Sequence, residues 1–87
     1  MRNYPNPFNS ITNISYHIPD ANMVILRVYD MLGREVITLV NEEKTGGYYS
    51  VHWDGKDSLG RKAVSGMYFY QLRFEDQIVT HKMILMR

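Results

Sequence analysis

The chain has 87 residues, 45% hydrophobic, 22% charged and 13% aromatic, with a formal net charge of +1. That balance fits a small folded core and excludes a disordered acidic or basic tail; so weak a net field gives no basis for a nucleic-acid partner. Cysteine is absent, which removes disulfides, thiolate metal sites and cysteine nucleophiles together and leaves the redox compartment open.

Taken in order, the opening Met1-Arg2-Asn3-Tyr4-Pro5 contains no hydrophobic signal region. If the domain works outside the cytoplasm, its export signal is expected upstream in a longer parent. A short strand is expected at 11–18. Segment 22–30 alternates Val24, Leu26 and Val28 against Met23, Ile25 and Arg27. A second short strand is expected at 34–40, with Glu42 and Glu43 in a loop. Segment 47–54 sets Tyr49, Val51 and Trp53 against Tyr48, Ser50 and His52. Segment 67–74 puts Tyr68, Tyr70, Leu72 and Phe74 on one face, and segment 78–86 does the same with Val79, His81, Met83 and Leu85. The period is two throughout, the signature of half-buried strands, and nothing reads as a helix.

Turn chemistry separates these segments at Asn6-Pro7, Pro19-Asp20, Gly46-Gly47 and Asp54-Gly55. Six or seven short strands with such punctuation describe an antiparallel β-sandwich, one domain over residues 1–87. With no disulfide or evident metal to staple so short a chain, the compensation expected is the aromatic bulk of seven Tyr, three Phe and one Trp. The longest apolar runs, Met23 to Leu26 and Met83 to Met86, fall far below the ~20 residues of a membrane-spanning helix. One internal echo, D-x-L-G-R at 30–34 and 57–61, reads as the same turn used twice: the Asp accepts from backbone two residues on, and the Gly takes positive φ.

Each candidate for chemistry has a plainer reading. Ser50, His52 and Asp54 share a strand face, yet alternate side chains stand ~6.5–7 Å apart, whereas a nucleophile and its base need about 3 Å. A solvated strand face accounts for them, and no catalytic residue is expected. Asp54 and Asp57 near Gly60 faintly resemble a calcium loop without its closing Glu, and turn formation explains them better. His17, His52 and His81 lie on three strands without ligand spacing, so no metal or cofactor is expected. Aromatic rings can stack on sugars, but Trp53, Tyr68 and Tyr70 alternate in phase with the core; Tyr48 and Phe69 are left as candidates for an exposed stack. Gly66-Met67-Tyr68-Phe69-Tyr70 has the form of a tyrosine corner.

The last strand carries no acidic residue after Asp76, and its Met83-Ile84-Leu85-Met86 block is flanked by Lys82 and Arg87. An ordinary closing strand would look the same; a terminal tag read by another protein is the functional alternative.

Resemblance adds to this. Tyr4-Pro5-Asn6-Pro7-Phe8-Asn9, Val28-Tyr29-Asp30-x-Leu32-Gly33-Arg34-Glu35-Val36, Val51-x-Trp53-Asp54-Gly55-x-Asp57, Ser65-Gly66-x-Tyr68-x-Tyr70-x-Leu72 and Lys82-Met83-x-Leu85-x-Arg87 occur in order. Together they resemble the type A C-terminal sorting domain of the bacterial type IX secretion system. The central part is similar to the immunoglobulin-like domain of flagellar hook-capping proteins. The resemblance implies a seven-stranded antiparallel immunoglobulin-like β-sandwich, non-catalytic, at the end of a larger exported protein. It implies passage through the periplasm to the surface or medium, with an outer-membrane translocon and a sortase-like peptidase as partners and an N-terminal cargo domain in the parent chain. Carried over by position, the recognition region falls on Lys82, Met83, Leu85 and Arg87. Two rivals remain: an accessory structural or carbohydrate-binding module of a secreted hydrolase, in which Tyr48 and Phe69 would matter, and a hook-cap-like module packing against copies of itself.

Overall fold

Alternation becomes burial most cleanly between Thr12 and Ile18, where every second residue is buried and every other one exposed. The computed structural model describes residues 1–87. Its strands are β1 (Arg2–Tyr4), β2 (Thr12–Ile18), β3 (Asn22–Tyr29), β4 (Glu35–Lys44), β5 (Gly47–Trp53), β6 (Gly66–Phe74) and β7 (Gln77–Leu85). They form two antiparallel sheets, β1-β2-β5 and β4-β3-β6-β7, packed as the expected immunoglobulin-like sandwich. The tight connection between β3 and β4 keeps those strands paired, so β4 borders the larger sheet.

The apolar phases meet between the layers: Ile14 and Ile18 from β2, Val24, Leu26 and Val28 from β3, Tyr70 and Leu72 from β6. Trp53 lies among them, fully buried, its rings 5.6 Å from that of Phe8 and 5.2 Å from that of Tyr68. Its indole Nε1 donates to the Lys56 carbonyl at 2.9 Å, so the ring brings no unpaired donor into the core. A ring burying roughly 150–250 Å² contributes about 4–6 kcal/mol of transfer free energy at ~25 cal/mol/Å². Polar groups in the interior are matched as well. Tyr70 Oη donates to Asn3 Oδ1 across the sandwich at 3.0 Å, and buried Thr12 donates to the Pro5 carbonyl at 2.8 Å. Tyr68 Oη reaches back to the Val64 carbonyl at 2.6 Å, the corner expected from Gly66–Tyr70, and burial raises its pKa.

The two D-x-L-G-R turns have matching geometry. Asp30 Oδ1 accepts from the amides of Leu32 and Arg34, and Asp57 Oδ1 from those of Leu59 and Arg61, at 2.9–3.0 Å. Gly33 and Gly60 take φ of 80° and 79°, which a Cβ would resist. Backbone amides and the adjacent Arg hold both carboxyls below their ordinary value of 3.8.

One expectation is corrected. Glu42 and Glu43 are not in a loop; β4 runs through them to Lys44, paired with Val24 and Met23 of β3. An outer strand tolerates charge because its free side faces water.

Candidate functional site

β7 lies at the edge of the larger sheet, bonded to β6 on one side only. In an antiparallel ladder each residue turns both its N–H and its C=O the same way, alternating along the strand. Ile84 faces away from β6: its N–H donates to Asn6 Oδ1 and its carbonyl accepts from the Phe8 amide, both at 3.0 Å. The same parity turns Lys82, Thr80 and Ile78 outward. No backbone neighbour covers those three, so their donors and acceptors form an open edge.

The far end of β7 is closed. Met86 N–H donates to the Phe8 carbonyl at 2.8 Å, completing a short parallel bridge along the outer side of the strand. Beyond it, Arg87 reaches back over the 54–66 loop. Its Nε donates to the Ala63 carbonyl at 2.8 Å and its Nη2 to the Gly55 carbonyl at 2.6 Å; its amide donates to Ser65 Oγ at 2.9 Å. Gly55 is buried with φ of 72°, and a Cβ there would come within 2.6 Å of Arg87 Nη2. Only glycine both adopts that backbone and leaves room for the guanidinium.

The four residues expected to carry recognition therefore occupy different environments. Lys82 is exposed on the outer sheet face opposite Phe69. Met83 and Leu85 are wholly buried in the core. Arg87 is tied into a neighbouring loop. Sequence reading missed the residues that seal this end: Asn6, Phe8, Gly55 and Ala63. The opening Asn6-Pro7-Phe8 reads locally as a turn, and no period links it to a strand some 78 positions away.

The other candidates disperse. Ser50 and His52 stand on the exposed face of the smaller sheet, while Asp54 Oδ1 accepts from the Lys56 amide in its own turn at 3.1 Å. His17 and His52 share that face, whereas His81 stacks on Tyr70 in the other sheet. Tyr48 is 86% exposed on the smaller sheet and Phe69 half-buried on the larger one, so they cannot make a common stack. An open cleft of about 470 Å³ lies between the two D-x-L-G-R turns, but the carboxylates and guanidinium Nε atoms lining it already bond each other.

The smaller sheet presents a second surface. Along it, Tyr4 aligns with Asn13 and His52, Arg2 with Ser15 and Ser50, and His17 with Tyr48. Every one of these side chains is exposed, and none is acidic.

A family model described as the secretion system C-terminal sorting domain matches residues 2–86. No curated protein matches the chain. Among solved structures, FlgD from P. aeruginosa is similar at TM-score 0.67 and 26% identity, over 86% of this chain and 60% of that one. The structure of dimeric latent PorU from Porphyromonas gingivalis is similar at TM-score 0.73 and 21% identity, over 97% of this chain and 9% of that one. The chain thus spans less than two thirds of either.

Proposed function

Because the chain belongs to the secretion system C-terminal sorting domain family of type IX secretion, we propose that residues 1–87 act as one non-catalytic sorting module, read through the edge of β7. Membership implies an N-terminal parent protein, secretion machinery, and export to the surface or medium. The finer reading concerns what is recognised. The open row at Ile78, Thr80 and Lys82 offers main-chain donors and acceptors to an added strand, with Lys82 as a charged marker beside it. Met83 and Leu85 serve by packing, holding the strand in register, and Arg87 fastens the end. An outer-membrane translocon subunit supplies the added strand, and a sortase-like peptidase acts on the docked module.

The observation that carries this reading is the division of β7 into an uncovered edge and a sealed end. Deleting residues 82–87 tests it badly, since the deletion removes two core side chains and unfolding would mimic lost recognition. Thr80→Pro is sharper: it removes one outward N–H and leaves the β6 ladder intact. In a passenger fusion, export is expected to fall at least tenfold with a cooperative melt retained. Undiminished export by the folded variant would overturn the edge reading.

A further inference from the structure

We propose that the outer face of the three-stranded sheet binds an acidic polysaccharide, with Tyr4 and Tyr48 as stacking rings and Arg2 as the contact for a sugar carboxylate. This goes beyond sorting and uses the sheet that does not contain β7. Single exposed aromatics are common on protein surfaces and need no explanation. Here two, exposed by 77% and 86%, share one flat face with a cation between them. A strand rise of ~3.3 Å and a strand spacing of ~4.8 Å place their Cα positions roughly 16 Å apart on the diagonal. A short run of sugar rings covers that distance.

The relief of the face follows the same line. One open cleft of about 600 Å³ is walled by Tyr48 and His17, another of about 410 Å³ by Tyr4 and Asn13. Arg2 and Ser15 belong to both, so the two clefts meet at the guanidinium. Neither has an acidic side chain in its wall. Arg2 makes no ion pair, leaving its planar fork open for bidentate contact with a carboxylate. His17 lies against Tyr48, ring centroids 4.5 Å apart, and steadies a ring that still presents most of its surface to solvent. Pyranose C–H groups, slightly positive, match the negative face of such a ring.

The chemistry favours this occupant over others. A protein partner would want a desolvated aliphatic centre, and the face has none. A nucleic acid carries a charge on every nucleotide, far more than one permanent cation and a chain of net charge +1 can hold. A glycan with scattered carboxylates and many hydroxyls suits one Arg set among Ser15, Ser50 and Asn13.

The 87-residue chain is titrated by calorimetry with oligogalacturonate, with neutral dextran oligomers and oligothymidylate as controls. Binding is expected for oligogalacturonate alone. Arg2→Ala, Tyr4→Ala and Tyr48→Ala should each weaken it at least tenfold, Tyr48→Phe should retain it, and Arg73→Ala, which removes the same charge from the opposite sheet, should stay within twofold. No binding of oligogalacturonate, equal binding of dextran or oligothymidylate, equal loss in Arg73→Ala, or indifference to both tyrosine truncations would each overturn the proposal.

Discussion

The two halves of β7 make opposite use of one strand. From Ile78 to Lys82 it contributes backbone on its outer side to nothing, and its outward side chains lie in water. From Met83 onward the chain is held by β6, by the Phe8 bridge, by the core below and by the 54–66 loop beyond, with only the outer sheet face at Ile84 and Met86 left to water. An uncovered edge invites pairing with any available strand, and proteins usually limit that hazard with charge or cover. This chain covers one half and marks the other with Lys82. The contrast shows that one strand can leave part of its backbone edge unpaired and still be anchored, because the core and the Phe8 bridge hold only its far end.

The contrast can be broken or sharpened experimentally, beginning with the largest effect. Trp53→Ala removes the ring against which Phe8 rests and should cost about 3–5 kcal/mol, enough to unfold much of a domain holding about 5–15 kcal/mol in all. A calorimetric melt within a few degrees of wild type would place Trp53 outside the core. Next, Leu85→Ala should cost about 2–5 kcal/mol while Ile78→Ala, on the open half and outward, costs under about 1 kcal/mol. Urea titrations that ranked the two equally would erase the distinction between the halves.

Arg87→Ala loses two charge-assisted bonds, and at its exposed position about 1–2 kcal/mol is expected. Gly55→Ala should destabilise by a similar amount through backbone strain and the crowded guanidinium. Because both act on one contact, the double variant should be less destabilised than the sum of the two, by at least about 0.5 kcal/mol. Strict additivity in a double-mutant cycle would mean that the loop and the terminal residue are not coupled.

The smallest effect is electrostatic. Asp57 shapes the turn within the loop that receives Arg87, and Asp30 shapes its twin. Both carboxyls titrate below their ordinary value when folded, so their contribution is present above the unfolded pKa and disappears as pH falls through the folded one. Thermal melts should therefore weaken from about pH 4 downward, and Asp30→Asn with Asp57→Asn should flatten that acid limb. An unchanged slope in the double variant would remove these turns from the acid response.

Much of this was readable from residue order. The inward phase of Trp53, Tyr68, Tyr70 and Leu85 follows from alternation, and the repeated turn follows from Asp and Gly at fixed spacing. The extent of β4 did not follow, since Glu42 and Glu43 look like loop residues until β3 is seen beside them. Neither did the separation of Tyr48 from Phe69: alternation turns both away from the core but does not say that they lie on different sheets.

What residue order by itself determined is which side of each strand faces inward and where the chain turns. Both are local, fixed by the pleat and by the backbone freedom of a few residues. Which strand ends at an edge, which half of it Phe8 covers, and which loop receives Arg87 were decided only when the sheets packed. Lateral neighbours depend on how the whole chain pairs its strands to bury its apolar faces, and such pairings join residues whose separation along the chain carries no period.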